Sequence, residues 1–255
     1  MVLHLFEART KSKIQCCLYD NKSSQIDTEI KDNVIIACGG EHPEFTYLRN
    51  TCAILIKNSS DYTLRNLCKL NIGRTNNTLK SNNNYIYCIG GFMGQLISEC
   101  EKLDNSFNAW KFIPSLNSPN SLISACVFDN IWLYVLGGTQ SYKIERIDLR
   151  KEEKWEILDS MYVPFERKCY GLCFQYSPES CLIIGGELQK NEILIFNKEK
   201  KKFISTKINL NFPAEFWGTN FNVFGWQLIS SSQPNKYISI NLSTQFGVSD
   251  KAIDF

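Results

Sequence analysis

Four short segments of the chain repeat one another, and each is an apolar run that ends in two glycines. The segments are Ile35–Gly40, Ile86–Gly91, Leu133–Gly138 and Cys181–Gly186. Their first glycines, Gly39, Gly90, Gly137 and Gly185, lie 51, 47 and 48 residues apart. A nearly fixed period of this size indicates one structural unit copied several times. The repeat therefore predicts a modular fold with a shared core.

The sequence around each glycine pair predicts four short strands. In the third copy, strand candidates cover 123–129, 131–136, 143–148 and 155–158. Short apolar strands joined by tight turns are typical of an antiparallel meander. The third strand ends in Asp or Asn, which suits the start of a turn, and an aromatic residue follows that can fill the gap between neighbouring sheets. These pairs are Asn58 and Tyr62, Asp104 and Trp110, Asp148 and Trp155, Asn197 and Phe203, and Asn241 and Phe246.

A single domain is predicted over residues 1–255. A leading half unit at 1–20, with Val2–Glu7 and Lys13–Tyr19 as third and fourth strands, precedes the full repeats. The repeats are assigned to 25–69, 76–115, 121–159, 168–207 and 216–253, and the last is degenerate because Ser230 and Ser231 replace its glycines. The unequal count of half units predicts a partial sixth unit, or a missing strand that a partner protein supplies by strand addition.

Composition argues against several classes of partner. The 28 Lys and Arg residues against 26 Asp and Glu give a net charge of +2, which is not the basic footprint of a nucleic-acid-binding protein. No apolar run reaches membrane-spanning length, and Glu7 and Arg9 interrupt the apolar start too early for a signal peptide. We expect an intracellular, cytoplasmic protein without nucleic-acid or membrane partners. Its 11 cysteines are expected to be reduced core residues.

The sequence predicts no catalytic residue, no metal site and no cofactor. Copper or iron chemistry needs clustered imidazole or carboxylate ligands, and the two histidines, His4 and His42, fall in different units. Cys169 and Cys173 share one face of a strand but lie about 13 Å apart along it. No nucleophile elbow of the Gly-x-Ser-x-Gly type is present.

The unit resembles the kelch repeat, which has four strands, a double glycine ending the second, an Asp or Asn ending the third and a Trp opening the fourth. Trp110 and Trp155 are in phase with that pattern, and so are Glu101 and Glu145, each three residues before its Asp. The resemblance implies an all-β propeller of five to six four-stranded kelch blades. It also implies a structural role for Gly39, Gly40, Gly90, Gly91, Gly137, Gly138, Gly185 and Gly186, at turns that disfavour a Cβ.

The resemblance further implies a contact surface for other proteins. Loops after the second strand and loops between blades lie on the same face of such a fold, and variable loops on a rigid scaffold commonly bind partners. Aromatic and Arg side chains are typical of interaction hot spots. The candidate contacts are His42, Phe45, Tyr47, Arg49, Arg74, Phe92, Met93, Gln140, Tyr142, Arg167 and Gln189.

These observations favour a non-enzymatic protein-interaction module, a scaffold or adaptor that could belong to a large cytoskeletal or ciliary assembly. One alternative is the substrate-recognition subunit of a cullin-type ubiquitin ligase, a role that many kelch propellers have. The other is a sugar-acting enzyme that uses Arg, Glu and Tyr at the mouth of the central channel. The sequence leaves these alternatives open.

Overall fold

A computed structural model describes residues 13–19, 34–41, 50–57, 62–163, 172–184, 192–209, 220–224, 227–233 and 236–241. The described residues are nearly all strand and contain no α-helix, so no helix among them could cross a membrane. The strands are β1 Lys13–Tyr19, β2 Val34–Glu41, β3 Cys52–Lys57, β4 Tyr62–Leu67, β5 Thr78–Ser81, β6 Tyr85–Phe92, β7 Leu96–Asp104, β8 Trp110–Ile113, β9 Ser124–Phe128, β10 Trp132–Leu136, β11 Lys143–Asp148, β12 Glu156–Tyr162, β13 Leu172–Ser177, β14 Ser180–Ile184, β15 Glu192–Asn197, β16 Lys202–Asn209, β17 Asn220–Phe224, β18 Gln227–Gln233 and β19 Lys236–Asn241.

The strands form successive antiparallel sheets, each built from strands that are consecutive in the chain. Sheets one to four contain β1–β4, β5–β8, β9–β12 and β13–β16, and the described part of the fifth contains β17–β19. Within each sheet, every strand pairs with the next one along the chain. This is the predicted meander, and the all-β prediction is confirmed.

Turn chemistry fixes the strand boundaries in the third sheet. Asp129 and Asn130 have φ values of +54° and +55°, and the N–H of Ile131 donates to the carbonyl of Phe128 at 2.9 Å. Two successive residues with positive φ make the hairpin turn whose twist matches the flanking strands. The strands β9, β10 and β11 lie within one or two residues of their predicted bounds.

The middle strands of the second and third sheets are continuously apolar because these sheets are buried on both faces. On β6, Ile86 and Cys88 pack into a core shared with Ile36 of the first sheet, while Tyr87 packs into a core shared with Leu133 of the third sheet. Successive side chains of a strand point to opposite faces. A third core joins sheets three and four in the same way. The first four sheets therefore stack face to face in chain order.

The repeated aromatic residue lies between sheets, as the sequence predicted. Trp110 belongs to the core between sheets one and two, and Trp155 belongs to the core between sheets two and three. Phe203, at the same position of the fourth sheet, is half-buried against the third core. Each ring thus fills the space between its own sheet and the preceding one.

The first strands of the sheets lie side by side along the inner edge of the stack. β5 neighbours β1 and β9, and β9 neighbours β13. The hydroxyl of Thr78 donates to the carbonyl of Ile123 at 2.6 Å. Lys80 Nζ reaches the carbonyl of Cys173 at 2.6 Å, past the intervening third sheet. Polar side chains of β5 therefore link sheets two, three and four at this edge.

The N-terminal strand differs from its predicted position. Lys13–Tyr19 pairs with β2, with Tyr19 opposite Val34 and Cys17 opposite Ile36, so it is the first strand of the first sheet and not a fourth strand of a leading half unit. The apolar pattern is equally compatible with either position, because first and fourth strands both border a middle strand. Val2–Glu7, Gln25–Ile30 and Phe246–Asp250, on which the strand-addition prediction depends, lie outside the described residues.

The described glycine pairs carry positive φ angles at the end of the second strand. The values are +70° at Gly39, +53° at Gly90, +124° at Gly91, +74° at Gly137 and +136° at Gly138. A Cβ added at Gly91 would lie 2.8 Å from the carbonyl oxygen of Thr75, and one at Gly138 would lie 2.2 Å from Asn120 Oδ1. Gly40 lies in β2, and Gly185 and Gly186 lie outside the described residues. At Gly91 and Gly138 the entry loop of the sheet therefore occupies the space of a side chain.

Candidate functional site

The loop that enters the second sheet is tied to a buried glutamate. This entry loop, residues 68–77, joins β4 to β5, and Glu101 on β7 is fully buried. The backbone N–H and the side-chain amide of Asn71 both donate to Glu101 Oε2 at 2.8 Å, and the N–H of Ile72 donates to Oε1 at 3.2 Å. Asn71 Nδ2 also donates to the carbonyl of Trp110 at 2.9 Å. The carboxylate thus satisfies loop N–H groups that have no strand partner.

Arg74, predicted as a partner contact, is instead an internal residue of this loop with 0% exposure. Its guanidinium forms an ion pair with Glu101. Its Nη1 donates to the carbonyls of Gly90 at 3.0 Å and Glu99 at 2.7 Å, and its Nε donates to the carbonyl of Ile72 at 3.1 Å. Arginine suits this position because its donors spread in a planar fork. The residue locks the entry loop to the β6–β7 hairpin and offers no surface to a partner.

The third sheet has an equivalent tether. Its entry loop, residues 114–123, joins β8 to β9. The N–H and Nδ2 of Asn117 donate to Glu145 Oε2 at 3.0 Å and 2.7 Å, and Nδ2 also donates to the carbonyl of Trp155 at 3.3 Å. In the part of the chain that the structure describes, no Lys or Arg pairs with Glu145. The glutamate and the asparagine are therefore the common parts of the tether.

Asn120 connects the loops of two neighbouring sheets. Its carbonyl accepts the N–H of Gly91 at 2.8 Å, and its Nδ2 donates to the carbonyl of Gly137 at 3.1 Å. Its Oδ1 accepts the N–H of Gln140 at 3.3 Å. The residue itself is buried. One buried residue thus holds both loops at the same rim of the molecule, the β6–β7 loop through its backbone carbonyl and the β10–β11 loop through its side chain.

Comparison with protein families matches residues 73–117 to the kelch motif. The match starts in the entry loop of the second sheet, covers β5–β8 and ends at Asn117 in the next entry loop. The second sheet is therefore a kelch repeat. The match covers all four strands of the second sheet together with Arg74 and Glu101, and the sheets of β1–β4, β9–β12 and β13–β16 have the same strand order. No curated protein matches the chain.

The kelch repeat exposes two large apolar side chains at the tip of its β6–β7 loop. Phe92 is 37% exposed and the neighbouring Met93 is 47% exposed. The base of this loop is paired with the entry loop. The N–H of Thr75 donates to the carbonyl of Phe92 at 2.9 Å, and the N–H of Phe92 donates to the carbonyl of Thr75 at 2.7 Å. The N–H of Met93 also donates to the carbonyl of Gln95 at 2.9 Å. Both side chains are therefore presented on a hydrogen-bonded turn.

The β10–β11 loop contributes the polar part of the same rim. Gln140 is exposed there, and Tyr142 is half-buried, with its carbonyl accepting the N–H of Val163 at 2.8 Å. We define the rim surface as Phe92, Met93, Gln140 and Tyr142. The remaining predicted contacts lie outside the described residues, and they are His42, Phe45, Tyr47, Arg49, Arg167 and Gln189.

The asparagines that anchor the rim, Asn71, Asn117 and Asn120, were not singled out from the sequence, although a signal for two of them exists. Asn71 lies 30 residues before Glu101, and Asn117 lies 28 residues before Glu145. Pairing each glutamate with a preceding asparagine would have indicated a repeated polar contact. Asn120 carries no such signal, because the matching position of the second sheet is Arg74.

A separate cluster of thiols lies in the core between sheets three and four. Cys126 of β9, Cys173 of β13 and Cys181 of β14 are buried, and their sulfur atoms all lie within 4.8 Å of one another. Burial opposes ionisation, but hydrogen bonding with Cys126 and Cys181 and the nearby Lys80 ammonium hold the pKa of Cys173 well below its ordinary value. Sequence spacing could not predict this cluster, since its members come from three strands of two sheets.

Proposed function

We propose that this kelch-repeat protein is a non-enzymatic protein-interaction module that binds its partner through the rim surface. The observation that carries the proposal is the exposure of Phe92 and Met93 on a turn whose base is fixed by buried polar residues. Aromatic residues and methionine are enriched at protein interfaces. A contact surface that is already ordered loses less conformational entropy when it binds.

The exposed apolar pair has polar surroundings, which is the usual anatomy of an interface. Gly94 and Gln95 beside it are exposed, and so is Gln140 on the neighbouring loop. A buried apolar centre with a polar margin gives affinity at the centre and tolerates water at the edge. The rim surface therefore fits a protein partner that inserts an apolar side chain next to Phe92 and Met93.

Two finer roles remain compatible with such a module. A scaffold in a large cytoskeletal or ciliary assembly would need the rim surface for stable docking, and the substrate-recognition subunit of a ubiquitin ligase would need it for transient capture. A sugar-acting enzyme has less support, because Arg74 and Glu101, which are residue types it would use, are buried and paired with each other. We favour the scaffold in an intracellular setting.

A quantitative affinity purification tests the proposal. The bait is the full chain, and the test variant combines Phe92→Ser and Met93→Ser. The matched control is Phe112→Ser, since Phe112 is 57% exposed but lies on the outermost strand β8 and not at the rim. We expect the test variant to lose at least 10-fold of a stoichiometric partner, which corresponds to about 1.4 kcal/mol. The control should retain that partner.

The result that would contradict the proposal is equal recovery of the same partners by the wild type and the test variant. Loss of partners from the Phe112 control alone would move the contact surface to the outer strands. Both variants should match the wild type in thermal unfolding, because substitutions of exposed residues away from special features change stability little. A folded test variant thus makes any loss of partner a property of the rim surface.

A further inference from the structure

Three cysteine sulfurs converge at one point between the third and fourth sheets. Cys173 Sγ and Cys181 Sγ lie 3.3 Å apart on adjacent strands, and Cys126 approaches them from β9 of the preceding sheet. All three are at most 1% exposed and belong to the third core. Among the described residues, this is the group of potential ligand side chains that is compact enough to hold an ion.

Three cysteine sulfurs as ligands favour a particular class of metal ion. Thiolate ligands favour soft metal ions such as Cu⁺ and Zn²⁺. A structural zinc site is almost always closed by four protein ligands, whereas Cu⁺ is stable with three sulfur ligands in trigonal coordination. The described surroundings of the cluster are apolar side chains, including Phe128, Tyr134 and Ile183. Such a dry, three-sulfur pocket fits Cu⁺ better than a zinc ion with bound water.

A positive charge lies close to the cluster. Lys80 Nζ donates to the carbonyl of Cys173 at 2.6 Å, so its ammonium lies beside the cysteine backbone. A Cu⁺ ion with several thiolates carries net negative charge, and a buried charge is costly unless it is paired. Lys80 comes from the second sheet, so an ion at this point would connect three successive sheets at their inner edge.

We propose that Cys126, Cys173 and Cys181 bind one Cu⁺ ion, which stabilises the packing of sheets three and four. No metal was expected from the sequence, because the two histidines fall in different units and Cys169 and Cys173 are too far apart along one predicted strand. The structure brings in ligands from neighbouring strands instead. An ion that binds only the folded chain raises its stability, so the site would make this end of the stack dependent on copper.

The test measures copper bound to the full chain, refolded anaerobically under reducing conditions with one equivalent of Cu⁺ and a weak competing ligand. The variants are Cys126→Ser and Cys173→Ser. The matched control is Cys100→Ser, because Cys100 is equally buried but lies in the second sheet outside the cluster. We expect one copper per chain in the wild type and the control, and at least a 10-fold loss of affinity in the two cluster variants.

A second readout uses only the wild-type chain, so it remains valid if a variant fails to fold. X-ray absorption should show copper coordinated by sulfur alone, and the melting temperature should rise with added Cu⁺. Three results would overturn the proposal: no copper retained by the wild type, binding of Zn²⁺ but not Cu⁺, or a Cys173–Cys181 disulfide in the protein as isolated. Undiminished binding in a folded Cys173→Ser variant would overturn it as well.

Discussion

The entry loops of the second and third sheets are both held by a buried glutamate and an asparagine, but a different residue type contacts the glycine carbonyl in each. In both, a buried glutamate of the third strand accepts hydrogen bonds from an asparagine of the loop, as Glu101 does from Asn71 and Glu145 from Asn117. The second sheet adds a buried cation, Arg74, to this arrangement. In the third sheet an uncharged amide takes over the arginine's contact with the glycine carbonyl.

The comparison separates what the second and third sheets share from what the second sheet has added. The shared need is an acceptor for loop N–H groups, because a buried N–H without a partner costs free energy. The ion pair is an addition of the second sheet, because Glu145 in the third sheet pairs with no Lys or Arg of the described residues. The kelch motif was matched in the sheet with the fuller set of these contacts.

The largest effect is expected from Arg74→Ala. The substitution leaves the Glu101 carboxylate buried without its cation, which should destabilise the fold by about 3–5 kcal/mol. The double variant Arg74→Met with Glu101→Gln removes both charges and should recover most of that loss. Urea unfolding monitored by tryptophan fluorescence measures both. A change below about 1 kcal/mol for Arg74→Ala would contradict the internal role of this arginine.

Alanine at the second glycine of each pair should have the next largest effect. Gly91→Ala and Gly138→Ala both force a side chain into a positive-φ conformation and a close contact, which costs about 3 kcal/mol. The obstacle at Gly91 is the backbone carbonyl of Thr75, whereas the obstacle at Gly138 is the side chain of Asn120. Adding Asn120→Ala should therefore rescue part of the Gly138→Ala loss and none of the Gly91→Ala loss. Thermal unfolding measures the rescue. Equal rescue of both variants by Asn120→Ala would contradict the assignment of a backbone obstacle at Gly91 and a side-chain obstacle at Gly138.

A smaller difference is expected between the two tether asparagines. Asn117→Ala should destabilise the protein by about 1 kcal/mol, because it removes hydrogen bonds to the Glu145 carboxylate and to a backbone carbonyl. Asn71→Ala should cost less, since Glu101 keeps its contacts with Arg74 and Ile72. Chemical denaturation of the two variants side by side measures the difference. A larger loss of stability for Asn71→Ala than for Asn117→Ala would mean that Arg74 does not compensate for the lost hydrogen bonds of Asn71.

The smallest effect concerns the turns after the third strand. A hydrogen bond from Arg150 lowers the pKa of Asp148 to about 2, from an ordinary value of 3.8. A depressed pKa contributes stability above the ordinary value, and that contribution is lost as the pH falls towards 2. Asp148→Asn should therefore lower the melting temperature slightly at pH 7, with the difference from wild type shrinking below pH 4. Asp104 ends the third strand of the second sheet and accepts a hydrogen bond from the N–H of Ser106 at 3.0 Å. Asp104→Asn is therefore the control in which no arginine contacts the carboxylate. A difference that persists unchanged down to pH 2 would contradict this assignment.

The sequence was sufficient for the repeating framework but not for the site. The glycine pairs, the turn residue that ends each third strand and the aromatic between sheets recur in the same order in each repeat, so comparing the repeats identifies them. The side chain of Arg74 could not be placed that way. An arginine in a loop can equally well be an exposed contact residue or a buried partner of Glu101, and the sequence does not distinguish the two. The Cys126 cluster depends on which strands of different sheets lie side by side. The spacing of cysteines within one strand does not indicate these neighbours.

The most direct test of the account is native-state hydrogen exchange at the rim, compared between wild type and Glu101→Gln. The central claim is that a buried carboxylate and its asparagine hold the loops that present Phe92 and Met93. The amides of Asn71, Ile72 and Phe92 should exchange in the wild type as slowly as neighbouring strand amides, and much faster in the variant. Wild-type amides that exchange at the rate of an unstructured peptide would contradict the claim.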